Sequence, residues 1–442
     1  MSFPTELPYK YTMDKTSPYY QELIPRPMFE AIWAKAKPMA IGYLSQLDPS
    51  HATLYQTEFP KIYPELDKEW FKESCYEMFV GCHDMESPCF KLTMRGLVAK
   101  MASWGRFSME RMMYKNEIDS IKIKNPLYIV ALPRSGTTFT HTSLACDPKA
   151  RTILYYQHFS SGSKTMSLEG RKAFGQAITG SVIDNAKEIN AVHNIDNLMV
   201  PEEELFFMEM LSCTYVFGTT IPRWEQYRES AFTRNWDDVY YAVLDHMRMT
   251  AIEYPMTDDM HFLLKSVNHF MSPIQFFRIM CSDEIEPRIV WMHREPIAEI
   301  KSCFYLFLNA RGRYPNEKGE NDMKWLQEKI IEMNCICLKN ALYCRRKWIE
   351  EKPERQNQIF DCYFKDMIDH PDEIAEKIYK KWGMEITDDI KKEMLKTKDE
   401  NHPQKQHGRK VTNNDDFFFD EEKVKEMFKF YYDEFKEYLP NW

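Results

Sequence analysis

The stretch Leu127-Tyr128-Ile129-Val130-Ala131-Leu132-Pro133-Arg134-Ser135-Gly136-Thr137-Thr138-Phe139 changes character twice within thirteen residues. It begins as a continuous apolar run between Pro126 and Pro133, the pattern of a strand buried on both faces, and so of a parallel sheet. It then turns through small polar residues and enters a helical pattern carrying Phe139, Leu144 and Ala145. Such a turn leaves backbone N–H groups free at a helix N-terminus. With the helix dipole they make an anion site. Gly136 lets the backbone approach the anion closely, Thr137 and Thr138 add hydroxyl donors, and Arg134 adds a fixed charge with forked donors. The nucleoside-triphosphate pattern G-x-x-x-x-G-K-[ST] fails at two positions. Ala131 stands where the first glycine belongs and Thr137 where the lysine belongs, which argues against a kinase or GTPase.

Further apolar runs follow at His261–Leu264, Arg288–Met292 and Gln358–Phe364. Helical patterns separate them: Asp237–Glu253, then Ile297, Ile300, Phe304 and Leu308, then Leu326, Ile330, Met333 and Cys337. Val424, Phe428, Tyr431 and Phe435 continue the helical spacing near the C-terminus. Strands alternating with helices predict a helix-rich α/β fold: a P-loop-like parallel sheet of four or five strands flanked by helices. Residues 1–25 are rich in Pro, Tyr and Thr and read as an extended arm, and the pattern from Pro27 to Met113 is helical. The expected division is an arm and N-terminal helical cap over residues 1–120 and a second unit over 121–442. Lys396–Asp420 is polar and charged and reads as a long loop, of the kind that often carries function.

Composition narrows the function classes. Of 442 residues, 44 % are hydrophobic and 14 % aromatic, enough for a large core, which excludes a disordered or collagen-like chain. Lys plus Arg is 58 against 67 Asp plus Glu, a net charge of −9, and no basic stripe accompanies it, so a nucleic-acid partner is not expected. The longest apolar runs fall far below the ~18 residues that span a bilayer, so no integral membrane segment is expected. The N-terminal residues lack a basic segment followed by an apolar one. The cysteines are odd in number, scattered and without a C-x-x-C pair, and no N-x-[ST] sequon occurs. These features predict a reducing, cytoplasmic setting in which the cysteines act as small buried hydrophobes. No H-x-x-x-H, C-x-x-C or EF-hand pattern points to a metal.

A second anion element stands in Arg288-Ile289-Val290-Trp291-Met292-His293-Arg294-Glu295-Pro296. Arg294 ends the run and Pro296 can open a helix. Ser302 follows Arg294 by eight residues, about two helical turns, so the two side chains can hold one anion between them.

The two elements together resemble the sulfotransferase family that uses 3′-phosphoadenosine 5′-phosphosulfate (PAPS). Pro133–Thr138 matches the loop that binds the 5′-phosphosulfate in that family, and Arg294, Pro296 and Ser302 match the element that binds the 3′-phosphate. One branch of the family also carries P-x-E-E before a helix and L-K-S-P-x-H after a strand. Here these read Pro201-Glu202-Glu203-Glu204 and Leu264-Lys265-Ser266-Val267-Asn268-His269, with Val267 in place of the proline. The resemblance covers roughly residues 120–435. It implies PAPS as donor, with Arg134, Ser135, Gly136, Thr137, Thr138, Phe139, Arg294 and Ser302 as binding residues. Arg409 and Lys410 stand where the family often has a short basic, cofactor-touching element.

Sulfonyl transfer resembles phosphoryl transfer: the acceptor attacks in line, charge develops on the leaving oxygen, and positioning and electrostatics do most of the work. Arg134 and Lys265 are the residues expected to meet that charge. An acceptor hydroxyl benefits from a general base. His269 and Glu203 are rival candidates: a histidine works near pH 7, and a carboxylate beside Phe206, Phe207 and Met208 would have a raised pKa. His158 and His193 lie near the same segments. The expected activity is a sulfotransferase acting on a hydroxyl, with an amine as second choice, of a small acceptor such as a lipid, sterol, phenol or natural product. The alternative is a non-catalytic nucleotide-binding scaffold on the same fold.

Overall fold

The computed structural model describes residues 3–185, 197–221, 223–311, 323–400 and 414–442. At its centre is a five-stranded, wholly parallel sheet. The strands are β1 (Leu127–Val130), β2 (Ala150–Arg151), β3 (His261–Lys265), β4 (Arg288–His293) and β5 (Ile359–Tyr363), in the spatial order β2-β3-β1-β4-β5. Four of these coincide with the apolar runs of the sequence. β2, two residues long at one edge, has no sequence signal of its own and pairs only through Ala150 with His261 and Arg151 with Phe262.

Strand residues alternate between two apolar layers, as the two-residue period of a strand requires. Tyr128, Val130, Leu264, Ile289 and Trp291 belong to the larger layer, and Leu127, Ile129, Leu263, Val290 and Met292 to the smaller one. The larger layer is continuous with the N-terminal helices, among them Arg26–Leu47 and Pro88–Met113. The second of these starts where its sequence says it should. Pro88 opens it, and Ser87 Oγ accepts from the Phe90 N–H at 3.1 Å. The smaller layer is covered by the helices Thr137–Leu144, Pro371–Lys381 and Asp388–Glu400. The last of these runs through Lys396–Glu400, so the predicted loop begins later than its polarity suggested; the exposed face of a helix is equally polar.

The N-terminal arm is extended but not loose. Leu7, Tyr11, Tyr19 and Ile24 are buried, and Asn340, on the helix Met323–Glu351, accepts from the Tyr9 N–H at 3.1 Å and donates to its carbonyl at 2.7 Å. No described helix is long and apolar enough to cross a membrane. All eleven cysteines are free, ten of them buried and Cys146 half-buried, as small core hydrophobes are.

Candidate active site

The strand order fixes the site. β1 lies between β3 and β4, so the loop leaving β1 is flanked at the carboxyl edge of the sheet by Lys265, the last residue of β3, and by Arg294, the first after β4. Phe364, the first residue after β5, completes the edge. This is where ligands bind in open α/β sheets, at the point where strand order reverses.

Two residues of the loop occupy the left-handed region, Arg134 at φ +63° and Gly136 at φ +80°. Gly136 is required twice over. An L-residue pays about 1–2 kcal/mol in that conformation, and a Cβ there would lie 2.6 Å from Phe364 Cδ2. Arg134 bears the same strain as a non-glycine and is held by two contacts. Its carbonyl accepts from the Arg294 guanidinium, and its Nε donates to Ser302 Oγ at 3.1 Å. Arg294 also lies over the Phe364 ring, 4.5 Å from its centre. The two arginines and the serine that the sequence set 160 residues apart are therefore interlocked (134 to 294). The helix Thr137–Leu144 starts directly after Gly136, and its first N–H groups have no partner within the helix.

Neither guanidinium makes an ion pair with a described carboxylate, and burial pulls both pKa values down from the usual arginine value. Glu299, buried on the helix Pro296–Arg311, acts on both guanidinium groups through its charge. It accepts from Cys303 Sγ and from Asn334 Nδ2, each at 2.7 Å. Burial pushes its carboxyl up to about 7, against the pull of Cys303, Arg294, Asn334 and Arg134. Two positive charges with no described acid in contact, beside open N–H groups, form a cradle whose chemistry suits an anion.

The second half of the site gathers around Lys265. Its Nζ donates to Thr138 Oγ1 at 3.1 Å and lies 3.4 Å from Glu203 Oε1 and 3.8 Å from Glu202 Oε1. Burial disfavours the ammonium, but Glu202 and Glu203 outweigh burial and leave its pKa above the usual value. Burial raises the Glu202 carboxyl in spite of Lys265. Glu204 is fully enclosed. Its Oε2 accepts from the Lys265 backbone N–H at 3.1 Å, and its Oε1 is 3.3 Å from His269 Nε2. Burial alone would raise Glu204; the hydrogen bond and charge of His269 hold it below the usual carboxylate value.

His269 is 1 % exposed, and both ring nitrogens are occupied, Nε2 by Glu204 and Nδ1 by the Tyr240 hydroxyl at 3.1 Å. Its ring stacks on Phe276 with centroids 4.3 Å apart. The imidazole thus braces Glu204, and through it the end of β3, and faces no open space. The sequence made it one of two rival candidates for the base, with Glu203; in the structure Glu204, Tyr240 and Phe276 enclose it. His158 is likewise internal, bonded to the Glu202 carbonyl at 3.1 Å and to His246 at 3.3 Å. Phe139 brings only its backbone N–H to the loop, because its side chain is in the smaller apolar layer. Ser135 and Thr137 are buried within the turn, while Thr138 is exposed and reaches Lys265. Arg409, Lys410 and His193 lie outside the described residues.

Sequence reasoning missed Glu299, Tyr240 and Phe364. Glu299 was findable: it precedes Ser302 by three residues, on the same helical face. Tyr240 and Phe364 come from elements with no motif and are recognisable only by what they touch.

The sequence profile described as the sulfotransferase family matches residues 126–389. No curated protein is similar enough in sequence to count as a relative. Among solved structures, the chain is similar to the sulfotransferase STF9 from Mycobacterium avium, with a TM-score of 0.65 at 15 % identity, covering 86 % of this chain and 96 % of that one. It is also similar to the sulfotransferase STF1 from Mycobacterium tuberculosis H37Rv, with a TM-score of 0.59 at 14 % identity, covering 87 % and 97 %. At these identities the likeness speaks for the fold.

Proposed function

The chain belongs to the sulfotransferase family, and from that premise we propose that it moves a sulfonate group from PAPS to a hydroxyl of a small acceptor. The observation that carries the donor is the pair of arginines. Arg134 and Arg294 are interlocked, half-buried and without a described carboxylate in contact, beside the free N–H groups of a helix start. Arg294 and Ser302 would hold the 3′-phosphate, and the 133–138 loop the 5′-phosphosulfate. PAPS supplies the sulfonate and a good leaving group; the protein supplies position and charge.

Lys265 and Arg134 are the cations available to the leaving oxygen, and Lys265 is held toward the loop by Thr138 at 3.1 Å. Glu203 is the acid that takes the acceptor proton in this reading. Its support is the 3.4 Å approach to Lys265, whereas Glu204 and His269 are both spent on internal bonds. His269 becomes a positioning residue. The acceptor proton goes to the Glu203 carboxylate as the oxygen–sulfur bond forms, and the Lys265 ammonium offsets charge on the departing phosphate.

The first experiment is calorimetric titration of the full chain with PAP and, in parallel, with AMP. Tight PAP binding with a loss of tenfold or more for AMP supports a 3′-phosphate site. Equal weak binding, or none, would move the non-catalytic scaffold ahead of the enzyme. PAP release from PAPS in the presence of phenols, sterols and other hydroxyl compounds then tests transfer.

A further inference from the structure

A cavity of about 870 Å³ opens at the other edge of the sheet, where the strands begin. His261 and Arg288, the first residues of β3 and β4, line it. Arg288 precedes Arg294 by six residues of extended chain, roughly 20 Å, so this space is separate from the phosphate loop. Its walls include Met256, Phe262 and Trp382, and Lys122 and Lys124 stand on its rim.

The charges in it are unevenly spent. Asp147 accepts from the Tyr379 hydroxyl at 2.8 Å and from the Lys149 N–H at 2.9 Å, and Asp259 pairs with Lys149 at 3.0 Å. Asp258 and Glu385 are exposed, where solvent screens them. Arg288 is half-buried and its guanidinium pairs with no acid among the described residues; the one hydrogen bond of its side chain to them is to the Met384 thioether at 2.9 Å. Lys122 and Lys124 make no ion pair with any described residue. His261 is 4 % exposed, and its Nε2 is buried without a hydrogen-bond partner. Burial, aided by Arg288, pulls its pKa down to about 4, so at pH 7 the imidazole is a neutral hydrogen-bonding group that does not repel the guanidinium. A desolvated arginine with only a sulfur to donate to leaves most of its hydrogen-bonding capacity unused.

We propose that this cavity is a second ligand site, distinct from the donor site, which takes a small anion with an apolar body. The anionic group, a phosphate or a carboxylate, meets Arg288 and His261, and an aryl or alkyl part lies against Met256 and Trp382. An unpaired, half-buried cation rejects a cationic ligand and gains from an anionic one.

The test is calorimetric titration of the full chain, saturated with PAP, with phenyl phosphate and phenylacetate; inorganic phosphate and benzylamine are the comparisons. One site is expected for the aryl anions, at least tenfold tighter than inorganic phosphate, with no binding of benzylamine. Arg288→Gln is expected to weaken phenyl phosphate at least tenfold. Lys124→Glu, an exposed change that spares the fold, is expected to weaken it about threefold with the melting temperature unchanged. The proposal falls if neither aryl anion binds, if PAP displaces them, if benzylamine binds equally, or if both variants bind as the wild type does. Absence of PAP binding would count against the sulfotransfer reading alone and leave the comparison of Arg288→Gln with wild type intact.

Discussion

Glu203 and His269 are both beside Lys265, yet their surroundings assign them different work. For Glu203→Gln we expect kcat to fall at least 100-fold, the usual scale for loss of a general base, with PAP affinity near wild type. For His269→Asn we expect kcat within about tenfold but a loss of about 3 kcal/mol in folding stability, since Glu204 would be left buried without its partner. Steady-state kinetics and denaturant unfolding on the two variants separate the roles. Glu299 gives a second residue-scale prediction. Burial pushes its carboxyl up to about 7 although Arg294 and Arg134 pull it down, and an anion bound to those arginines would raise it further. PAP binding near pH 7.5 should therefore take up more protons in the wild type than in Glu299→Gln. Calorimetry in buffers of different ionisation enthalpy reads the difference; equal uptake would detach Glu299 from the anion.

At the scale of elements, the loop between β1 and its helix is shaped by a conflict between chirality and space. Gly136→Ala meets both penalties, the left-handed φ and Phe364 at 2.6 Å. We expect it to destabilise the fold by about 2–4 kcal/mol and to weaken PAP at least tenfold. Adding Phe364→Ala removes the contact but not the strain, so in the double variant stability should recover in part while PAP binding stays weak, because Arg294 loses the ring beneath it. Thermal melts and PAP titrations of the single and double variants form the cycle. Full recovery would show that the left-handed conformation is not needed.

The whole molecule carries buried histidines whose pKa values burial pulls down: His141 to about 3, His158 and His261 to about 4, and His246 well below its usual value. For a base so depressed, the unfolded chain binds more protons between the two pKa values, so stability is lost as pH falls below about 6.5. Each such histidine costs about 2 kcal/mol by pH 5. Glu299 and Glu202 act in the opposite sense, because a raised carboxyl stabilises below its unfolded pKa and that gain fades as pH rises through the folded one. With His293, which burial also depresses, five histidines among the described residues outweigh three raised carboxyls, Glu77 being the third. Urea unfolding should show stability falling by a few kcal/mol from pH 7 to pH 5; a flat or rising profile would contradict the burial of these rings.

Much of this protein is determined by its sequence alone, because local patterns report local physics. The run from Leu127 to Phe139 specifies strand, anion loop and helix; the continuous apolar runs of β3 and β4 specify burial on both faces; and the family motif names Arg134, Arg294 and Ser302. What a side chain does once chain segments meet is not local. His269 and Glu203 read as rival bases in the sequence, and only the folded chain brings Glu204, Tyr240 and Phe276, from three other segments, around the His269 ring. β2 exists because His261 and Phe262 pair with it, not because two residues favour a strand. The carboxyl of Glu299 is raised by the burial that the folded chain imposes, which no window of sequence contains. Spacing decides which groups can share an edge of the sheet; the tertiary structure decides which of them keep a face open to a ligand, because burial and partner choice are properties of the assembled core.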